Sequence, residues 1–219
     1  MKKIIITGMT SGIGKALYDE FSKTYFLIGI SNDVKNDLSK DTKVKIRCNL
    51  TDLDQVKKIN FRRILKSEDK VIFINNAASI GNVKMVGSFK INELVKITNL
   101  NFISSIIIIQ KIISSVKNKN ITFFNMTTGA ANHPIRGWSL YCSTKAASKM
   151  FFEVIREEFP EINVINFDPG IVDTGMQKKI RTSDKSHFPD VDKFKKYKNN
   201  NQLKSVSEIT NEIKQILKL

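Results

Sequence analysis

Six short apolar runs recur along the 219-residue chain, each bounded by polar or glycine-containing residues. They are Lys2 to Thr7 (KKIIIT), Tyr25 to Ile30 (YFLIGI), Lys43 to Leu50 (KVKIRCNL), Lys70 to Asn75 (KVIFIN), Ile121 to Asn125 (ITFFN) and Ile162 to Phe167 (INVINF). Runs of this length, rich in β-branched and aromatic residues, predict strands. Between them the pattern changes to helical spacing. Helices are predicted over Lys15 to Thr24 and over Ile91 to Val116. Another runs from Thr51 to about Lys66, with Asp52 and Asp54 in its first turn. A fourth begins at Ser139, taken as its cap, and runs to about Phe159, and the last covers Ser207 to Leu217. The segment between the second and third strands holds only about a dozen residues, which leaves room for a vestigial helix at most.

Six strands alternating with helices predict an α/β protein: a doubly wound, Rossmann-type parallel sheet of about six strands with helices on both faces. No repeat or linker divides the chain, so residues 1–219 read as one domain. Residues 176–200 are polar, contain Pro189, and read as a mobile segment on the substrate side.

Two stretches carry candidate chemistry. Gly8-Met9-Thr10-Ser11-Gly12-Ile13-Gly14 lies between the first strand and the first helix. In that context glycines let backbone N–H groups approach a pyrophosphate, and the helix dipole favours the anion. A tight turn needing small residues would use the same glycines. The tip of the second strand, Ser31-Asn32-Asp33, should then face the adenosine ribose. Farther on, Tyr141 and Lys145 stand four residues apart and share a helix face. A phenol has a pKa of about 10, and a nearby ammonium lowers it, making the phenol a usable proton donor to a developing alkoxide. A half-exposed tyrosine beside a solvated lysine is the commoner meaning of such a pair taken alone.

Composition narrows the field. A hydrophobic content of 41% is that of a globular protein. The net charge of +15 would suit a polyanion, but the lysines are spread along the chain, and no basic segment interleaves with aromatics. A nucleic-acid partner is therefore not expected, whereas a dinucleotide would be attracted by the same field. Cys48 and Cys142 show no metal-ligand spacing, and no signal peptide opens the sequence, so a reduced cytoplasmic protein without a metal is expected. The apolar run Ile106 to Ile113 is interrupted by Gln110 and Lys111. A membrane span of about 20 residues is not expected from it.

Taken in order, the motifs resemble those of the short-chain dehydrogenase/reductase family over nearly the whole chain. They are Thr7-Gly8-x-x-x-Gly12-Ile13-Gly14, Asn75-Asn76-Ala77-Ala78, Asn101, Thr128, Tyr141-x-x-x-Lys145, and Pro169-Gly170 with Thr174. Thr128 through Ala147 and Pro169 through Gln177 are similar to sepiapterin reductases and bacterial benzil reductases. The resemblance implies a carbonyl reductase acting on a small ketone or dicarbonyl. Tyr141 would protonate the carbonyl oxygen, and Lys145 would lower the phenol pKa and bond the nicotinamide ribose. Thr128, where the family usually has serine, would donate to the substrate oxygen, and Asn101 would hold a water relaying protons to Lys145. Gly8, Ser11, Gly12, Ile13 and Gly14 would surround the pyrophosphate, Asn49 and Leu50 would meet adenine, and Asn75 and Ala77 would line the ribose path. Pro169 and Gly170 belong to the same cofactor-binding set, with Val172 and Thr174 fixing the carboxamide.

Ser31 and Asn32 occupy the positions that discriminate between cofactors. Ser31 lacks a carboxylate that would repel a 2′-phosphate, and Asn32 lacks the arginine that would clamp it. NADP is expected, with NAD possible. A non-catalytic dinucleotide sensor on the same fold is the alternative, but such proteins often lose the Tyr or Lys retained here. Relatives associate through paired helices and through a closing strand. No closing strand follows Leu219, so a homodimer through the helices is expected; Ile106, Ile109, Ile113, Met150, Phe151 and Phe152 form their apolar surface, part of which must pack on the sheet, and the sequence does not divide core from interface.

Overall fold

The computed structural model describes residues 1–34, 43–117 and 119–219. The vestigial helix expected before the third strand lies outside the described residues. Six strands form one parallel sheet: β1 (Lys2–Thr7), β2 (Phe26–Ser31), β3 (Lys43–Arg47), β4 (Lys70–Asn75), β5 (Ile121–Met126) and β6 (Asn163–Phe167). Their order is β3-β2-β1-β4-β5-β6. Side chains alternate between faces along each strand, and here both faces are apolar. Ile5, Ile28, Phe73 and Phe123 enter one core, and Ile4, Ile6, Leu27 and Phe124 enter the other.

The first core is covered by α2 (Leu53–Lys58), α4 (Ser104–Ser115) and α5 (Ser139–Glu158), through Val56, Ile108, Ile112, Phe152 and Ile155. The second is covered by α1 (Gly12–Phe21) and α8 (Val206–Leu217), through Leu17, Phe21, Ile209 and Ile213. This is the doubly wound arrangement expected. Strand order reverses between β1 and β4, and a crevice opens at the carboxyl ends of strands at such a point.

Several boundaries differ from the expectation. The helix predicted from Thr51 to Lys66 ends at Lys58. Asp52 caps it by accepting from the N–H groups of Asp54 and Gln55, and Phe61–Arg63 follows as a short 3-10 turn. Ile59 and Phe61 are both buried, a two-residue spacing that one helical face cannot supply. The predicted Ile91–Val116 helix is α3 (Ile91–Thr98) and α4 joined by a π-helical turn at Asn99–Ile103. Ser139 is the first helical residue of α5 and not its cap; Trp138 holds that place. Residues 176–200 contain most of α6 (Gly175–Arg181) and α7 (Val191–Asn199), anchored by buried Ile180, Phe188 and Val191.

By length and composition, Ile91–Ser115 would pass for a membrane span. In the fold its second half lies on the sheet with Ile108, Ile109 and Ile112 buried. The structure makes the division that the sequence left open: Ile109 and Phe152 are core, while Met150 is 63% exposed. Ile91, Val95 and Val154 are exposed apolar residues as well. Lys204 pairs with Val172, past the end of β6, and bonds the backbone of Ile171 and Asp173 there.

Candidate active site

The two strand ends at the reversal point are tied together. The buried Thr7 hydroxyl accepts from the backbone N–H of Asn76 and of Ala77, each at 3.0 Å. The Asn76 amide returns to the carbonyls of Thr7 and Gly8 at 2.9 and 3.3 Å. The glycine-rich turn begins at this seam. Gly8 has φ +72° and Gly12 φ +53°, conformations that glycine adopts without strain. A Cβ on Gly14 would fall 2.2 Å from the Gly8 carbonyl oxygen, so this third glycine lets α1 pack onto the turn and does not itself line the cleft. Ser11, at the N-cap of α1, makes no side-chain capping bond.

A cleft of about 1000 Å³ runs from this turn to the amino-terminal end of α5. Gly8, Ser11, Gly12, Ile13 and Ala77 border one end. Thr128, Tyr141 and Lys145 border its middle, and Pro169, Gly170, Val172 and Thr174 come from the segment after β6. His133, Trp138 and Met176 border the far end, together with Phe194 and Tyr197 of α7. Trp138 stacks on Phe188 with centroids 5.1 Å apart, and its ring meets Tyr141 edge-on at 5.8 Å. Thr127 borders the cleft too, with its hydroxyl buried.

The two central groups carry opposite perturbations. Burial pushes the Tyr141 phenol up to about 12, with a hydrogen bond to the Thr128 side chain pulling it down and the Asp168 carboxylate adding to the rise. Burial lowers the Lys145 ammonium to about 8, against the favourable pull of Asp168. Both follow from removing charge from water. The expectation that Lys145 lowers the phenol pKa is not met in this geometry. The Lys145 ammonium is turned to the Met126 carbonyl oxygen, to which it donates a hydrogen bond, and desolvation of the phenolate dominates.

Other expected site residues stand outside the cleft. Asn75 faces the α5 side of the sheet, where its amide donates to Asn125 at 3.0 Å. Alternation along β4 hands the cleft position to Asn76. Asn101 lies in the π-helical turn, where such insertions often mark functional sites. Its amide is committed to the backbone of Ser79 and to the Thr144 hydroxyl, and its side chain therefore pins α5 to the segment after β4. Ser31 is buried and hydrogen-bonded to Thr10 at 3.1 Å, while Asn32 is exposed beside it. Asn49 turns its carbonyl onto Thr51, accepting from the backbone N–H and the hydroxyl. Leu50 is buried in the core.

Sequence reasoning missed Asn76 and Asp168. Asp168 follows β6 directly and accepts from the Gly170 N–H at 2.9 Å, leaving its charge at the cleft between Gly129 and Gly170. An acid directly before Pro169-Gly170 was the available signal. Among the described residues no cluster of three His, Cys, Asp or Glu side chains could hold a metal. Ultraviolet difference titration of the free protein, wild type against Tyr141→Phe, should show no phenolate from this ring until close to pH 12. Ionisation near pH 9 would mean that charge on Lys145, or water, reaches the hydroxyl.

The short chain dehydrogenase family matches residues 2–185. The chain is 32% identical over 218 residues to a Bacillus subtilis benzil reductase that forms (S)-benzoin, spanning 94% of this chain and 88% of that protein. It is 33% identical over 117 residues to sepiapterin reductase of Bos taurus, spanning 51% of this chain and 44% of that one. A solved short-chain dehydrogenase/reductase from Saccharomyces cerevisiae superposes with a TM-score of 0.81 at 26% identity, over 94% of this chain and 86% of the other. A glycine turn at the β1/β4 seam, a Tyr–Lys pair on the wall of the same cleft and a family match over most of the length lead to one conclusion: the chain belongs to the short-chain dehydrogenase/reductase family.

Proposed function

We propose that the protein reduces a small ketone or dicarbonyl to an alcohol, with NADPH as hydride donor and Tyr141 as proton donor. The observation that carries this reading is the convergence of Tyr141, Thr128 and Lys145 on one cleft that begins at the glycine-rich turn. The reductase relatives support the reaction type.

The chain's residues fit a dinucleotide. Gly8 lets the turn pass close to Asn76 and Ala77, a Cβ at Gly12 would make only ordinary contact with Thr174, and the amino-terminal end of α1 opens at Ser11 with no side-chain cap, so its N–H groups and dipole suit a pyrophosphate. When bound, NADPH supplies the hydride. Thr128 and Tyr141 hold the substrate carbonyl oxygen by their hydroxyls, and the Tyr141 proton goes to that oxygen as negative charge develops on it. A phenol kept neutral by burial stays loaded with its proton throughout the neutral range. Lys145, lowered to about 8, can exchange a proton close to neutrality. The far end of the cleft, walled by Trp138, Phe194 and Tyr197, suits an aryl group, since aromatic rings gain from edge and offset-stacked contacts.

Tyr141→Phe is expected to lower turnover of benzil by about 10²–10⁴-fold while NADPH affinity by fluorescence titration stays within a few-fold. Near-normal turnover in that variant would remove Tyr141 from the mechanism. At the adenosine end, Ser31 carries no charge and Asn32 is open to solvent. A higher kcat/KM with NADPH than with NADH is expected, with modest discrimination that Asn32→Arg widens. Strong preference for NADH in the wild type would mean that Asp33 turns back to the ribose. The same reading includes a homodimer through the exposed apolar residues Ile91, Val95, Met150 and Val154 of α3 and α5. Light scattering should give twice the chain mass; a monomer or a tetramer would exclude it.

A further inference from the structure

The carboxyl ends of β4, β5 and β6 carry a row of amides on the side facing α5. Asn75, Asn125 and Asn166 stand level in adjacent strands. Asn75 Nδ2 donates to Asn125 Oδ1 at 3.0 Å, and Asn125 Nδ2 donates to Asn166 Oδ1 at 2.8 Å. Two bonds join this row to α5. Ser148 Oγ donates to Asn125 Oδ1 at 3.3 Å, and Asn166 Nδ2 donates to Glu153 Oε1 at 2.6 Å. Arg156 pairs with Glu153 and donates from Nη2 to the Val164 carbonyl at 3.0 Å. Asn125 and Ser148 are fully buried.

The row has a direction, and Glu153 sets it. A carboxylate only accepts. Asn166 must therefore turn its NH₂ group toward Glu153 and its carbonyl toward Asn125. That leaves Asn125 with its NH₂ group on Asn166 and its carbonyl on Asn75 and Ser148. A choice made at a half-buried carboxylate is thus transmitted to the fully buried Ser148, in the turn of α5 that follows Lys145.

Apolar side chains could fill the same space without the risk of an unsatisfied amide. They could not fix α5 at one height and rotation, because burial is non-directional whereas hydrogen bonds are directional. Lys145 needs that height. Its Nζ donates to the carbonyl of Met126, the residue directly after Asn125. Helix α5 therefore meets β5 at two successive residues, through Ser148 at Asn125 and through Lys145 at Met126.

We propose that Asn125, Asn166 and Glu153 are positioning residues for Lys145: the directed amide row fixes α5 on β5 and thereby seats the Lys145 ammonium on the Met126 carbonyl. The catalytic consequence rests on the reading of Lys145 as partner to the proton donor Tyr141. The charged group that acts on Lys145 from a neighbouring element is Asp168, at the end of β6, and Tyr141 lies one turn earlier on its own helix.

The test uses the free protein and the loaded enzyme separately. The Lys145 side-chain carbon resonance, assigned by its loss in Lys145→Met, is titrated by NMR in the wild type, Asn125→Leu, Glu153→Ala and Glu153→Gln. In Asn125→Leu and Glu153→Ala the titration should move from about 8 by about half a pH unit or more, upward toward the ordinary lysine value of about 10.4 where the freed ammonium reaches water and downward where it only loses the Met126 carbonyl. Glu153→Gln, whose amide oxygen can accept the same bond, should restore the wild-type curve. With benzil and NADPH, kcat should fall about ten-fold in Asn125→Leu with KM nearly unchanged, as a small misplacement of a catalytic partner does. An unshifted Lys145 titration in folded Asn125→Leu and Glu153→Ala would overturn the proposal, whatever their melting temperatures. If Asn125→Leu fails to fold, Glu153→Ala decides by the same readout. Shifted titrations together with an inactive wild type would uphold the positioning role and reject the reductase reading.

Discussion

The carboxyl ends of β1 and β4 lead into connections that diverge to opposite sides, and the site depends on holding those ends together. One buried hydroxyl does much of this. Thr7 accepts from two successive N–H groups after β4, and Asn76 returns its amide to two successive carbonyls at the end of β1. An unpaired buried backbone group costs about 1–3 kcal/mol, so closing four such bonds at one seam fixes the spacing of the strands strongly. The turn at Gly8 can then pass close to Ala77, and α1 starts where its free end meets the crevice. Around this seam the remaining parts are placed by packing. α5 lies across β5 and β6 through Phe152 and Ile155, bringing Tyr141 and Lys145 to the same crevice from the opposite side.

Burial of that pair shapes its chemistry. A phenol pushed up and an ammonium pushed down both favour the uncharged form. The phenol therefore keeps its proton throughout the neutral range; burial makes it a weaker acid than a free phenol, and it yields that proton only to a strong base such as the alkoxide formed from a reduced carbonyl. Asp168 acts on both groups and raises both, opposing the effect of burial on the lysine and reinforcing it on the phenol.

Much of this could be read from the residues alone. The six strands were legible because isoleucine, valine and phenylalanine cluster in short runs, and the glycine turn because it stands between a strand and a helix. Tyr141 and Lys145 were legible as a helical pair. What failed was local. Asn75 and Asn76 are adjacent amides, and only the pleat decides which one reaches the cleft; it gives Asn76. The π-helical turn that commits Asn101 to Ser79 and Thr144 leaves no mark in an otherwise helical run. The seat of Lys145 on Met126 depends on the height of α5, which is set by residues on two strands, β5 and β6. Residues 176–200 looked irregular because their two helices are short and charged, and a few apolar anchors, Ile180, Phe188, Val191 and Phe194, hold them to the body of the protein together with bonds such as Lys179 to the Gly81 carbonyl.

A cleft that brings a bound nicotinamide and a carbonyl together beside Tyr141 must pass hydride from one to the other. The most direct measurement is the fate of a deuterium carried on the transferable position of NADPH when the enzyme turns over benzil. Deuterium at the carbinol carbon of the alcohol product, found by mass spectrometry, is the expected result. Binding of the labelled cofactor without transfer to any tested ketone or dicarbonyl would contradict the account and leave a dinucleotide-binding protein with an unused Tyr–Lys pair.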